Sequence, residues 1–162
     1  MRILGIDPGL QKTGWGIIEA VDNRLSYISC GLIKTTASLP LYARLAQIDA
    51  GLEQVIKLYK PDESAIEITF MNDNPASALK LGVARGAAIT CPARLGLMVA
   101  EYAPNLIKKS LVGNGHATKD QIGMMIKMLL PTSGKIGADE ADALAIAICH
   151  AHHAMTKRRI GA

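Results

Sequence analysis

Aromatic residues make up only 4% of this 162-residue chain, which has one Trp and one Phe, so the interior must be mainly aliphatic. Cysteine is almost as scarce. Cys30, Cys91 and Cys149 are odd in number, far apart and outside any Cys-x-x-Cys pair. That argues against a disulfide framework or a zinc ribbon and leaves them as packing residues or inert thiols. No apolar run approaches the ~20 residues of a membrane span. The apolar stretch after Met1-Arg2 meets Asp7 and Pro8 too soon for a signal peptide. Repeats, linkers and low-complexity segments are missing as well. The expectation is a cytoplasmic protein with a single domain over 1–157 and a short basic tail over 158–162.

The formal charge of +4 is modest, but its distribution carries more information. If four acids are committed to metal, ten acids remain against 18 Lys and Arg. A basic surface around a small acidic pocket suits a polyanion whose phosphate is the reacting group.

Hydrophobic patterning gives strands over 2–7, 13–20 and 24–35, joined by turns at Pro8-Gly9 and Asn23 as an antiparallel meander. Leu45, Ile48, Leu52, Val55 and Ile56 recur at helical spacing over 41–59. A short buried strand over 64–68 follows. Asn74-Pro75 opens a helix that should end near Thr90, before Pro92. A fifth strand over 97–101 precedes helices over 104–112, 118–130 and 139–157, with Gly113-Asn114-Gly115 as a break. The fold class is α/β, with a five-stranded mixed sheet flanked by helices on both faces.

Asp7, Glu67, Asp139 and Asp142 each begin or end an element that otherwise reads as buried. Desolvating a carboxylate is costly unless a cation or strong donors compensate it. Should the first and fourth strands be parallel neighbours, Asp7 and Glu67 face one crevice at their carboxyl ends. Asp139 and Asp142 stand three apart at a helix start and share a face. Taken singly, each acid has a plainer reading as a turn, a strand-end charge, or a cap and dipole partner. Jointly they suggest a site for hard divalent cations.

The stretches Gly5-Ile6-Asp7-Pro8-Gly9-Leu10, Thr13-Gly14-Trp15-Gly16 and Ala65-Ile66-Glu67 resemble RuvC-type Holliday junction resolvases. So do Asn74–Gly82, Ala84-Arg85-Gly86, Val112–Gly115 and Ala138–Ala145, in family order along nearly the whole chain. The resemblance implies a ribonuclease H-like fold and a homodimer that makes paired nicks across a four-way DNA junction. It also implies Mg2+, with Mn2+ able to substitute and two ions per active site, and contact with the branch-migration complex RuvA-RuvB. By motif position, Asp7, Glu67, Asp139 and Asp142 are the expected catalytic and metal-binding carboxylates. Lys108 and Lys119 match basic positions used near DNA, and Phe70 is expected to stack on an unpaired base. Lys109 reads as a solvated face.

Other features carry less. His150, His152 and His153 are expected at a solvent-facing helix end, and Trp15, Met124, Met125 and Met128 in core or interface packing. Ala78, Gly82 and Gly86 form a small-residue stripe that permits close approach to the sheet or to a twin subunit, where the family's dimer favours the second. Ile68, Asp73, Val83 and Glu140 depart from the family pattern; the first three bear on junction contacts. Alternative functions are a nuclease acting on RNA or RNA–DNA hybrids and a junction-binding scaffold without cleavage. An actin-like ATPase also begins with an acidic strand turn, but its paired domains exceed this length.

Overall fold

The computed structural model describes residues 1–68 and 74–159, so Phe70 and Asp73 lie outside the described residues. The order is β1 (Arg2–Asp7), β2 (Lys12–Val21), β3 (Arg24–Lys34), α1 (Leu41–Tyr59), β4 (Glu63–Glu67), α2 (Pro75–Arg94) and β5 (Met98–Tyr102). After these come α3 (Pro104–Val112), α4 (Lys119–Leu129), a 3-10 turn (Pro131–Ser133) and α5 (Ala138–Arg159). The sheet runs β3-β2-β1-β4-β5. β1, β2 and β3 pair antiparallel as the expected meander, and β1 and β4 are parallel neighbours, as are β4 and β5.

Alternation along the strands sorts the core into two layers. Leu4, Ile6, Ile17 and Ile66 pack with Ile48 and Leu52 of α1 and Ala84 and Ala88 of α2. Ile3, Ile18 and Ala65 face the other way, against α3, α4 and α5. Helix α5 is buried along Ala143–Ala151, which explains its small aliphatic composition. It lies directly on the sheet backbone: a Cβ on Gly5 would stand 2.0 Å from the Ala143 carbonyl oxygen.

Several elements differ from the sequence expectation. Helix α2 continues through Pro92 to Arg94. A proline in the last turn removes only its own backbone donor, and the exposed carbonyls are capped by Leu95, Gly96 and Leu97 N–H groups on Cys91, Pro92 and Ala93. Helix α5 likewise passes 157 and runs to Arg159, the last described residue. Met124 and Met128 are 66% and 73% exposed, so they are not core residues. Trp15 is half-buried and packs against Tyr59 with ring centroids 5.6 Å apart. A methyl group on Gly82 or Gly86 would meet no atom within 4 Å, so these two glycines of the stripe do not face the sheet; the buried side of α2 is Ala84, Ala88 and Cys91.

The expected solvent-facing histidines are also corrected. His150 is 3% exposed and bonded to Tyr102 and Glu63, His152 reaches the Ser110 carbonyl, and His153 stacks on Tyr102. They turn inward because α5 is sandwiched between the sheet and α3, leaving little of it facing water.

Helix α4 starts at Lys119 because Thr118 forms a capping box with Gln121, each side chain accepting the other's backbone N–H. Thr118→Ala should lower unfolding free energy by about 1 kcal/mol in urea titration. An unchanged midpoint would mean that the cap is redundant.

Candidate active site

The period of two in β1 puts Ile3, Gly5 and Asp7 on the face covered by α5. In β4 the same alternation puts Ala65 and Glu67 there. The parallel β1/β4 register brings the carboxyl ends of both strands to one edge of the sheet. Asp139 and Asp142 occupy the start of α5, which presses onto β2: a Cβ on Gly14, the register partner of Asp7, would stand 2.3 Å from the Asp139 carbonyl oxygen. Glycines at 5 and 14 are thus what lets α5 deliver its acids to the end of β1.

The turn after Asp7 is braced locally. Thr13, fully buried, donates its hydroxyl to the Gly9 carbonyl at 2.9 Å. Glu67 is braced through its backbone, since Arg85 on α2 donates Nε–H to its carbonyl at 3.0 Å and pairs with Glu101.

Electrostatics tie the acids together. Asp7 is pushed up to about 7, chiefly by burial and then by Asp142, Glu67 and Asp139, with Lys119 opposing. Burial and Asp142 raise Glu67, while Lys108 lowers it. Asp142 is raised by burial and Asp139, against the pull of Lys119 and Lys108. Mutual repulsion among half-buried carboxylates is the signature of negative charge in want of a cation.

A cleft of about 250 Å³ opens beside them, lined by Glu67, Asp142, Lys108 and Lys119 with apolar walls from Ile107 and Ile122. Lys119 Nζ stands 3.8 Å from Asp142, an exposed pair of little energetic weight. Lys108 is half-buried, and Lys109 is exposed, the solvated face expected of it. Asp139 borders a neighbouring cleft with Lys12, Arg44 and Lys80. Among the described residues, no three His, Cys, Asp or Glu side chains already stand close enough to hold a metal ion. The donor set nevertheless fits a hard divalent cation: four oxygen acids whose repulsion a cation would relieve, with no thiolate or imidazole among them.

Sequence reasoning assigned no role to Thr13, Arg85, Tyr102 or His150. Thr13 and Arg85 left a trace inside the Thr13–Gly16 and Ala84–Gly86 stretches, and His150 only as one of the histidines expected to face solvent. Gly113, whose φ of 78° closes α3 as a left-handed cap, is the helix stop expected at that break.

A β3-β2-β1-β4-β5 mixed sheet with helices on both faces, and acids gathered at the ends of β1 and β4 and the start of α5, defines a ribonuclease H-like protein. The RuvC of T. thermophilus, solved in complex with a Holliday junction substrate, superposes with a TM-score of 0.90 at 30% identity, covering 96% of each chain. The yeast mitochondrial Holliday junction resolvase Ydc2 shares the fold, with a TM-score of 0.70 at 12% identity over 98% of this chain and 83% of its own. The family model described as Crossover junction endodeoxyribonuclease RuvC matches residues 3–150. A relative of that name from Paramagnetospirillum magneticum is 56% identical over 160 residues, 99% of this chain and 96% of its own. The chain belongs to the crossover junction endodeoxyribonuclease RuvC family.

Proposed function

We propose that this chain is a metal-dependent endonuclease that resolves four-way DNA junctions by paired symmetric nicks, leaving 5′-phosphate and 3′-hydroxyl ends. Asp7, Glu67, Asp139 and Asp142 are its catalytic carboxylates. The observation that carries this reading is the electrostatic convergence of four acids from three separate elements, beside a cleft rimmed by Lys108 and Lys119.

The four acids would hold Mg2+, with Mn2+ as a substitute and two ions per site. Bound there, such ions supply an activated water and stabilise the departing 3′ oxygen. Lys108 and Lys119 hold the scissile phosphate and offset its growing negative charge. The buried Thr13–Gly9 contact and the Arg85 clamp keep Asp7 and Glu67 at fixed positions, while Ile107 and Ile122 exclude water from one side of the cleft. Phe70 stacks on an unpaired base at the junction centre. A homodimer, with Gly82 and Gly86 of α2 open for close approach by a twin subunit, would present two sites for opposing strands. Contact with the RuvA-RuvB complex belongs to the same reading.

Cleavage of a synthetic four-way junction in Mg2+ tests it, with RNA–DNA hybrid and single-stranded DNA in parallel. The expected result is paired nicks in the junction and little cleavage of the others, lost in each carboxylate-to-amide variant. Preferential cutting of the hybrid, or tight junction binding with no nick, would overturn the proposal.

A further inference from the structure

We infer that His150 is a positioning residue for the carboxylate site, a polar staple that holds α5 at the register where Asp142 stands beside Glu67. The inference rests on the assignment of the four carboxylates.

His150 is 3% exposed, and both ring nitrogens are engaged on the sheet. Nε2 lies 2.6 Å from a Glu63 carboxylate oxygen, and Nδ1 lies 2.8 Å from the Tyr102 hydroxyl. Burial, and after it the nearby Cys149 and Glu63, push Tyr102 up to about 12, so its phenol keeps its hydrogen. That hydroxyl can donate to Nδ1, leaving Nε2–H to donate to Glu63. The bonds are charge-assisted or buried, and both are directional.

The two strands that His150 bridges are tied to the site. Glu63 begins the strand that Glu67 ends, and Tyr102 is the register partner of Glu67 across β4 and β5. Along α5, His150 lies about 12 Å beyond Asp142. Along β4, Glu63 lies about 13 Å before Glu67. The helix therefore runs back along the strand, with His150–Glu63 as one rung and Asp142–Glu67 as the other. Between them α5 meets the sheet through Gly5, Ala143 and Ala147. These apolar contacts, with Leu144 seated over Gly16, set how close the helix lies, and the directional His150 bonds fix its position along its axis.

Displacing an acid by about 1 Å is enough to lower a rate ~10²-fold, and loss of an orienting partner typically weakens metal binding about 10- to 100-fold. Mn2+ binding, followed by the paramagnetic resonance of the free ion, reads the site without turnover. His150→Ala should weaken Mn2+ at least ~10-fold, and the metal midpoint for junction cleavage should rise with it. The junction KM should stay near wild type. His150→Gln, which keeps one donor and one acceptor, should recover most of the loss. Tyr102→Phe, which deletes one bond and little volume, should fall between. Wild-type Mn2+ affinity in folded His150→Ala overturns the inference; if that variant does not fold, wild-type affinity in Tyr102→Phe overturns it. Asp142→Asn separates the two layers. Loss of metal and cleavage in Asp142→Asn with intact His150 variants sinks the staple alone, whereas full function in Asp142→Asn sinks the site and the staple together.

Discussion

Asp7→Asn is expected to lower junction cleavage about 10³-fold or more while making the metal-free protein more stable at pH 8. The two effects have one cause. Asp7 rises from 3.8 to about 7 because burial and three neighbouring acids oppose its ionisation. The folded protein therefore holds a proton that the unfolded chain releases, so the contribution of Asp7 to stability is most favourable below pH ~4, falls as pH climbs from about 4 to about 7, and levels off above. At about 1.4 kcal/mol per unit, less solvent screening, the penalty at pH 8 is on the order of 2–4 kcal/mol. An amide removes it, and the midpoint of thermal unfolding should rise by about 5–10 °C for a chain of this size. Mg2+ should stabilise wild type at pH 8, progressively less as the pH drops below 7, and Asp7→Asn less than wild type. Calorimetry at pH 5 and pH 8, with and without Mg2+, checks all of this. An amide variant that is destabilised at pH 8, or that cleaves at the wild-type rate, contradicts it.

Gly14→Ala should be nearly as damaging to catalysis without altering a single polar group. The added methyl would stand 2.3 Å from the Asp139 carbonyl oxygen and 2.8 Å from its carbonyl carbon, both backbone atoms that cannot rotate away. Helix α5 must shift, which carries an overpacking cost of about 1–3 kcal/mol or more. The shift begins at Asp139, so cleavage should fall ~10²-fold even where the protein stays folded. Gly123→Ala offers the contrast. Nothing lies within 4 Å of its methyl, and the residue sits inside α4, so stability should rise by about 1 kcal/mol. Equal stability of the two variants in urea would show that α5 does not bear on Gly14 as described.

Most of the fold was legible because the signals were local. The apolar run Ile3–Ile6, the helical spacing of Leu45–Ile56 and the Asn74-Pro75 start each depend on a few adjacent residues, and the elements formed where those signals lay. The errors came where neighbours distant in sequence prevailed. Pro92 did not stop α2, because the carbonyls near it found donors in the following turn. Three histidines close to the chain end looked like a wet helix terminus, yet α3, β4 and β5 surround that terminus and supply partners at Ser110, Glu63 and Tyr102. Met124 and Met128 have apolar side chains but stand on the outer face of α4, against only the core half of the core-or-interface expectation.

For the site, residue type and position at element ends marked Asp7, Glu67, Asp139 and Asp142 as candidates, Lys108 and Lys119 came from the family resemblance, and Glu67, Asp142 and both lysines line one cleft. An acid at the edge of an apolar run is visible without coordinates, since the desolvation it faces is set by its immediate neighbours. What holds those acids in relation to one another had no local signal. Gly5 and Gly14 as the seat of α5, Arg85 on the Glu67 backbone, and His150 between two strands emerged only from the packing. Each joins residues tens of positions apart, and such contacts exist only once strand order and helix register are fixed in space.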